Sequence, residues 1–225
     1  VTDSRRELAS LLAEPERRLL TSIARRVPAR LDSDAFTALG VVGAAGAGLA
    51  YALTSLDPGW LWAASVLLAI NWLGDSLDGT LARVRRVERP RYGYYLDHLV
   101  DAAATAAVGI GLGLSPWVDL ELALLLVVAY LALSINVYLE TTVFGVFRLG
   151  YGRIGPTEAR ILLIGLNTML CFVPARSWVV EWLPLLADAL VFLLAATMLG
   201  MLAARSVRNL ELLGQMEKPW PPPPR

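Results

Sequence analysis

Four aspartates are the residues whose types and spacing could do chemistry. Asp75 and Asp78 are three apart and Asp97 and Asp101 four apart, so on helices each pair shares one face. Counted along the helical rise from Arg83, Asp78 lies roughly 7 Å and Asp75 roughly 12 Å into its segment; counted from Gly93, Asp97 lies roughly 6 Å and Asp101 roughly 12 Å in. Consecutive antiparallel helices bring both pairs to one depth. The helix dipole favours acids in a first turn, which accounts for Asp97 and in part for Asp101 but opposes Asp75 and Asp78 near a helix C-terminus. An acid inside a membrane span costs about 2.5 kcal/mol or more at mid-bilayer and less toward the interface. Four acids without a local lysine repel one another unless cations bind. An all-carboxylate set favours hard cations, Mg²⁺ first and Mn²⁺ second. Four carboxylates suit two ions about 4 Å apart, an arrangement that clamps a phosphoryl group in transfer. His98 follows Asp97 and points about 100° away from the acids, so it reads as a packing or supporting residue rather than a zinc ligand.

The elements that must position these acids are those of a membrane protein. The 225-residue chain is 56% hydrophobic and 18% charged, with a mean hydropathy of +0.54, whereas a soluble domain carries about a quarter charged residues. The expected fold is all-α and integral to the membrane. Six transmembrane helices are expected, near 35–56, 60–83, 93–114, 120–147, 158–173 and 183–204, each crossing a hydrocarbon core of about 30 Å. Every Lys and Arg except Arg176 falls in the tails or on or beside alternate connections. The positive-inside rule then places both termini, and the acids, on the cytoplasmic side of a bacterial-type inner or plasma membrane. Before the first span, Ser4 and Glu7 have capping-box spacing and Pro15 suits the first turn of a second helix. Arg17, Arg18, Arg25 and Arg26 occupy one half-circle of that helix; Leu19, Leu20, Ile23, Ala24 and Val27 occupy the other. This predicts an amphipathic interfacial helix on anionic lipid. Residues 1–34 are thus read as a cytoplasmic juxtamembrane segment, 35–205 as the six-helix catalytic domain and 206–225 as a Pro-rich cytoplasmic tail. Lys+Arg and Asp+Glu balance at 20 each, and no nucleic-acid partner is expected. The lone Cys171 cannot form an intrachain disulfide. Small residues crowd the first span (Gly40, Gly43, Gly46, Gly48) and the third (Gly109, Gly111, Gly113), which permits close helix packing within a monomer or between subunits.

Asp75-x-x-Asp78-Gly79-x-x-Ala82-Arg83 followed by Gly93-x-x-x-Asp97-x-x-x-Asp101 fixes eight positions over 27 residues. This pattern resembles the signature of the CDP-alcohol phosphotransferase (CDP-alcohol phosphatidyltransferase) family. The spacer of nine residues between Arg83 and Gly93 is at or just beyond the usual length. Ser33-Asp34 stands before Thr37 and Gly40 where the family often has Pro-Asn. The resemblance implies a membrane enzyme of phospholipid synthesis and a homodimer. Asp75, Asp78 and Asp97 would hold two Mg²⁺ ions, with Asp101 shared between metal binding and general base. Gly79 would leave room for the cytidine nucleotide and Arg83 would meet its phosphates, with Ala82, Gly93 and Thr37 completing the donor site. The acceptor hydroxyl would attack the phosphorus distal to cytidine, releasing CMP.

Substrate choice is expected elsewhere in the bundle. Asn136 and Glu140 share a face of the fourth span, Glu140 being either functional or paired with an arginine. Arg153, Glu158 and Arg160 flank the start of the fifth, where Thr157 or Glu158 caps the helix. The preferred donor is CDP-diacylglycerol and the acceptor a small polar alcohol. One alternative is a CDP-aminoalcohol transferred to diacylglycerol, mildly suggested by Asp97-His98; another is a cation- or proton-coupled transporter, although no internal repeat is visible. If Arg153 and Arg160 line an acceptor site, Arg153→Ala and Arg160→Ala raise the acceptor Michaelis constant, most for a phosphorylated alcohol; an unchanged constant removes both from the site.

Overall fold

The computed structural model describes residues 12–144, 155–173 and 178–217. Seven helices and no strand are formed by these residues: α1 (Ala13–Ala24), α2 (Ser33–Leu53), α3 (Trp60–Arg85), α4 (Pro90–Gly113), α5 (Leu120–Phe144), α6 (Pro156–Phe172) and α7 (Trp178–Met216). Their ends follow local chemistry. Asp32 caps α2 by accepting from the Ala35 backbone N–H at 2.9 Å. Arg86, in the left-handed region at φ 57°, ends α3. Pro90 and Pro156 open α4 and α6, where a missing N–H costs nothing.

By length and apolar composition, α2, α5 and residues 181–216 of α7 are sufficient to cross a membrane. The others fall short for physical reasons. Asp75, Asp78, Asp97 and Asp101 dilute the apolar content of α3 and α4, which at 26 and 24 residues have the length. α6 has 17 residues, about 25 Å of helix. α7 extends beyond the expected 183–204 at both ends and continues to Met216. Large apolar side chains face outward, among them Val128, Ile135, Leu162, Leu186 and Leu193, the pattern of a surface solvated by lipid.

Packing runs in the order α6, α3, α2, α4, α5, α7, with α1 laid on α3. Small residues hold α2 between its neighbours. A Cβ at Gly40 would stand 3.2 Å from the Asp75 backbone nitrogen, and one at Gly43 would stand 2.6 Å from the Asn71 nitrogen. Gly74 faces Gly40 from the other side, and Gly48 meets Ala107 and Gly111 of α4. The small-residue faces are therefore consumed within the chain. Asn71 locks the α2–α3 contact by donating to the Gly40 carbonyl at 2.9 Å. Farther along, Asn167 of α6 donates to Tyr51 of α2 at 2.9 Å and to Ser65 of α3 at 3.1 Å, beside a core of Ala47, Ala50, Leu61, Ala64 and Leu68.

The apolar half-circle of α1 is divided. Leu20 and Ala24 are buried against Leu77 and Leu81 of α3, with Ile23 and Val27 alongside, whereas Leu19 is exposed. The face expected on lipid thus packs largely on protein, because α3 presents an apolar stripe to it. The proposed Ser4–Glu7 box and the Pro-rich run 219–224 lie outside the described residues.

Gly43→Ala should destabilise the protein by about 1–3 kcal/mol, since the added methyl meets backbone that cannot yield. Gly165→Ala, where a Cβ meets nothing within 4 Å, should leave stability unchanged or slightly raised. Thermal unfolding of both variants in detergent checks the contrast.

Candidate active site

The acidic pairs sit at the ends of α3 and α4 that flank the connection at residues 86–89, all four carboxylates half-buried. Asp101 lies within electrostatic range of Asp75, Asp97 and Asp78, and of Arg160 on α6. Asp78 is likewise close to Asp75 and Asp97. Like charges so placed repel, and Asp78 and Asp75 turn to hydrogen-bond donors. Asp78 Oδ2 accepts from the buried Thr37 hydroxyl of α2 at 2.6 Å, and its Oδ1 from the Gly79 N–H at 2.5 Å. Asp75 Oδ2 accepts from Arg160 Nη2 at 2.9 Å, an ion pair whose side chains are 22% and 15% exposed.

Among the described residues, no group of three or more acidic, imidazole or thiol side chains closes on a common point. The donor set is nevertheless all carboxylate oxygen, on two helices consecutive in the chain and both packed on α2, which is the chemistry of a hard divalent cation and not of zinc. His98 takes no place in that set. Its ring packs at 4.1 Å from Tyr94 and 4.4 Å from Tyr138, with Asp97 at 3.7 Å from its Nδ1. Tyr130 and Tyr138 of α5 lie within electrostatic range of Asp101, a feature that one-dimensional spacing could not reveal.

The residues expected on the donor side lie at the same end. Arg83 folds back on its own helix, donating to Thr80 at 3.0 Å, and its guanidinium lies 3.3 Å from where a Gly79 Cβ would be. Gly79 therefore has open space on its face apart from a movable side chain. Gly93 is looser still: an added Cβ would touch nothing within 4 Å, so packing in the chain does not require glycine there. Ala82 lines a hollow of about 320 Å³ with Asp32, Ser33, Asp34, Leu81, Arg85, Val87 and Arg89. At its rim Arg89 donates to Asp34 at 2.5 Å and stacks on Tyr92 at 4.0 Å; the hydrogen bond to Asp34 raises the guanidinium above its ordinary pKa.

The residues considered for the acceptor separate. Arg160 faces the acids, as described. Glu140 forms an ion pair with Arg205 of α7 and accepts from Asn136 and from Asn209, each at 2.7 Å. Asn136 and Glu140 thereby take part in fastening α5 to α7. Glu158 closes its own helix end by accepting from Gly155 N–H at 2.9 Å, and takes the Leu12 N–H at 3.1 Å. Arg153 lies outside the described residues.

Glu16 was not singled out in the sequence, where it is one charge on a charged helix. In the fold its Oε1 accepts from Trp72 Nε1 at 2.7 Å, from Ser76 Oγ at 3.2 Å and from Thr157 Oγ1 at 3.0 Å. The available signal was weak: among Arg17, Arg18, Glu14 and Glu16, only Glu16 lies toward the apolar stripe of α1.

Removing one member of the Glu140–Arg205 pair leaves a buried charge without its counter-ion, at a cost of about 3–5 kcal/mol. Arg205→Met should therefore lower the unfolding midpoint strongly, and adding Glu140→Gln should recover more than half of the loss. A double variant no more stable than Arg205→Met contradicts this role.

A family model described as CDP-alcohol phosphatidyltransferase matches residues 33–203. No curated protein shows significant similarity to the chain. The matched region runs from the start of α2 through most of α7 and contains all four aspartates, Gly79, Arg83 and Arg160.

Proposed function

The chain belongs to the CDP-alcohol phosphatidyltransferase family, and from that premise we propose that it transfers a phosphatidyl group from CDP-diacylglycerol to a small polar alcohol, releasing CMP. Membership makes the protein a membrane transferase of phosphate-containing groups acting in phospholipid synthesis, and sets the transporter reading aside. The observation that carries the finer proposal is the acidic cluster of α3 and α4, facing an arginine of α6 on one side and an open glycine face on the other.

In this reading Asp75, Asp78, Asp97 and Asp101 hold two divalent ions, Mg²⁺ or in its place Mn²⁺. Bound there, the ions supply charge neutralisation for the diphosphate and its leaving group. The rest of the work belongs to the chain. Thr37 and the Gly79 N–H each hold one oxygen of Asp78 and so fix the carboxylate in place. The cytidine nucleotide lies against Gly79 and Ala82, and Arg83 swings from Thr80 to the phosphates. Gly93 keeps the opposite wall clear. Asp101 takes the proton of the acceptor hydroxyl. The acceptor oxygen forms its bond to the phosphorus distal to cytidine; the bond from that phosphorus to the bridging oxygen breaks, and CMP leaves with the electron pair. Arg160 offers a guanidinium for an anionic group on the acceptor, which favours a phosphorylated alcohol.

Helices α2–α7 are proposed as six spans, with both termini and the acids on the cytoplasmic side, supported by the basic connections that flank the acidic end. α1, bearing Arg17, Arg18, Arg25 and Arg26, lies along that surface. A homodimer remains part of the proposal through the family; the small-residue faces do not add to it, being used inside the chain.

The test is CMP release by purified protein with CDP-diacylglycerol, Mg²⁺ and a panel comprising glycerol 3-phosphate, inositol 1-phosphate, inositol and serine. One acceptor should support metal-dependent release, and Asp101→Asn should lower it by a factor of about 10² or more. Release by Asp101→Asn at the wild-type rate removes the base from the mechanism. Release with CDP-choline and diacylglycerol alone would transfer the proposal to the other substrate pair.

A further inference from the structure

A carboxylate outside the acidic cluster ties its supporting helices together. Glu16 belongs to α1, a helix that the reaction as proposed does not use. Three donors from two helices converge on its Oε1: Trp72 and Ser76, one turn apart on α3, and Thr157 at the start of α6. Thr157 also reaches Oε2 at 3.1 Å. A second strut runs the opposite way, from Glu158 of α6 to the Leu12 backbone N–H at 3.1 Å. The helix that carries these groups is itself seated, with Leu20 and Ala24 buried on Leu77 and Leu81. Beyond its C-terminus Arg85 of α3 donates to the carbonyls of Val27, Pro28 and Leu31.

The same two helices meet again one turn deeper. Arg160 follows Thr157 by three residues and therefore lies on the same face of α6, and Asp75, the residue it pairs with, precedes Ser76 on α3. Farther along α6, Asn167 reaches Ser65 of α3. The Glu16 carboxylate thus joins the first turn of α6 to α3 on the face that carries Arg160.

We propose that Glu16 is a positioning residue for Arg160, fixing the start of α6 against α3 so that the guanidinium is delivered to Asp75 and to the acceptor. The acceptor part rests on the reading of Arg160 given above; the positioning part does not. Because all three donors use one oxygen, an amide can replace the carboxylate. Glu16→Gln keeps a carbonyl oxygen at Oε1 and retains the arrangement, whereas Glu16→Ala leaves Trp72, Ser76 and Thr157 without it.

The experiment uses the full-length protein in CDP-diacylglycerol mixed micelles, with glycerol 3-phosphate and inositol 1-phosphate as probe acceptors, together with amide hydrogen exchange over residues 159–163. In Glu16→Ala, exchange there should quicken at least tenfold and the acceptor Michaelis constant should rise at least fivefold, with the donor constant within twofold of wild type. Glu16→Gln should restore both readouts. Unchanged exchange in Glu16→Ala overturns the inference whatever the kinetics show, as does a failure of Glu16→Gln to restore it. Arg160→Ala, measured in parallel, separates the two proposals: an unchanged acceptor constant there sinks the acceptor role of Arg160, and the exchange result still decides the role of Glu16. Equal losses in donor and acceptor constants for Glu16→Ala would mark a general loss of fold and also overturn positioning.

Discussion

Carboxylates confined together inside an apolar bundle are the constraint on which the rest of the structure depends. Each of Asp75, Asp78, Asp97 and Asp101 loses water on entering the bundle, and each adds to the repulsion felt by the others. Folding must therefore supply donors, close helix approach and an anchored neighbour carrying positive charge. Thr37 supplies the first to Asp78. Gly40, Gly43 and Gly74 supply the second, because only without Cβ atoms can α2 come near enough to α3 for a threonine hydroxyl to reach an aspartate. Arg160 supplies the third. Small residues in α2 and polar residues in α3 and α6 thus serve one electrostatic requirement.

Function follows from the same requirement. An acidic site that the fold holds under mutual repulsion gains when cations enter, since they bring the positive charge the bundle lacks, and the bound cations in turn make room for an anionic diphosphate. The part that a substrate would displace is Arg83, resting on Thr80 over an open glycine face, while Arg160 is held on Asp75. The parts that should not move are fastened by buried hydrogen bonds, Asn71 to Gly40 and Asn167 to Tyr51 and Ser65, or by the Glu140–Arg205 pair at the far edge.

Much of this was legible in the sequence because it is periodic. Spacings of three and four place Asp75 with Asp78 and Asp97 with Asp101, and apolar runs locate α2 to α7 to within a few residues, apart from the ends of α7. Long-range pairing was not legible. Glu140 and Arg205 are 65 residues apart, and no local pattern tells an acid that binds substrate from one that binds a distant arginine. Glu16 was hidden for the same reason, its three partners lying 56, 60 and 141 residues away. α1 shows a different failure. Amphipathicity identifies an apolar face, but lipid and the side of α3 are both apolar, and periodicity cannot choose between them. The four acids also made α3 and α4 less apolar than ordinary spans, so the chemistry obscured the topology that supports it.

The central claim is that the α3 and α4 aspartates together form one divalent-cation site. Electron paramagnetic resonance of Mn²⁺ titrated into the purified protein tests it directly. Tight binding of two Mn²⁺ ions per chain with a spin-coupled spectrum is the predicted result, reduced when either Asp78 or Asp97 is changed to Asn. Mn²⁺ that stays free in solution with the folded wild-type protein, or binding that both variants retain in full, would contradict the account.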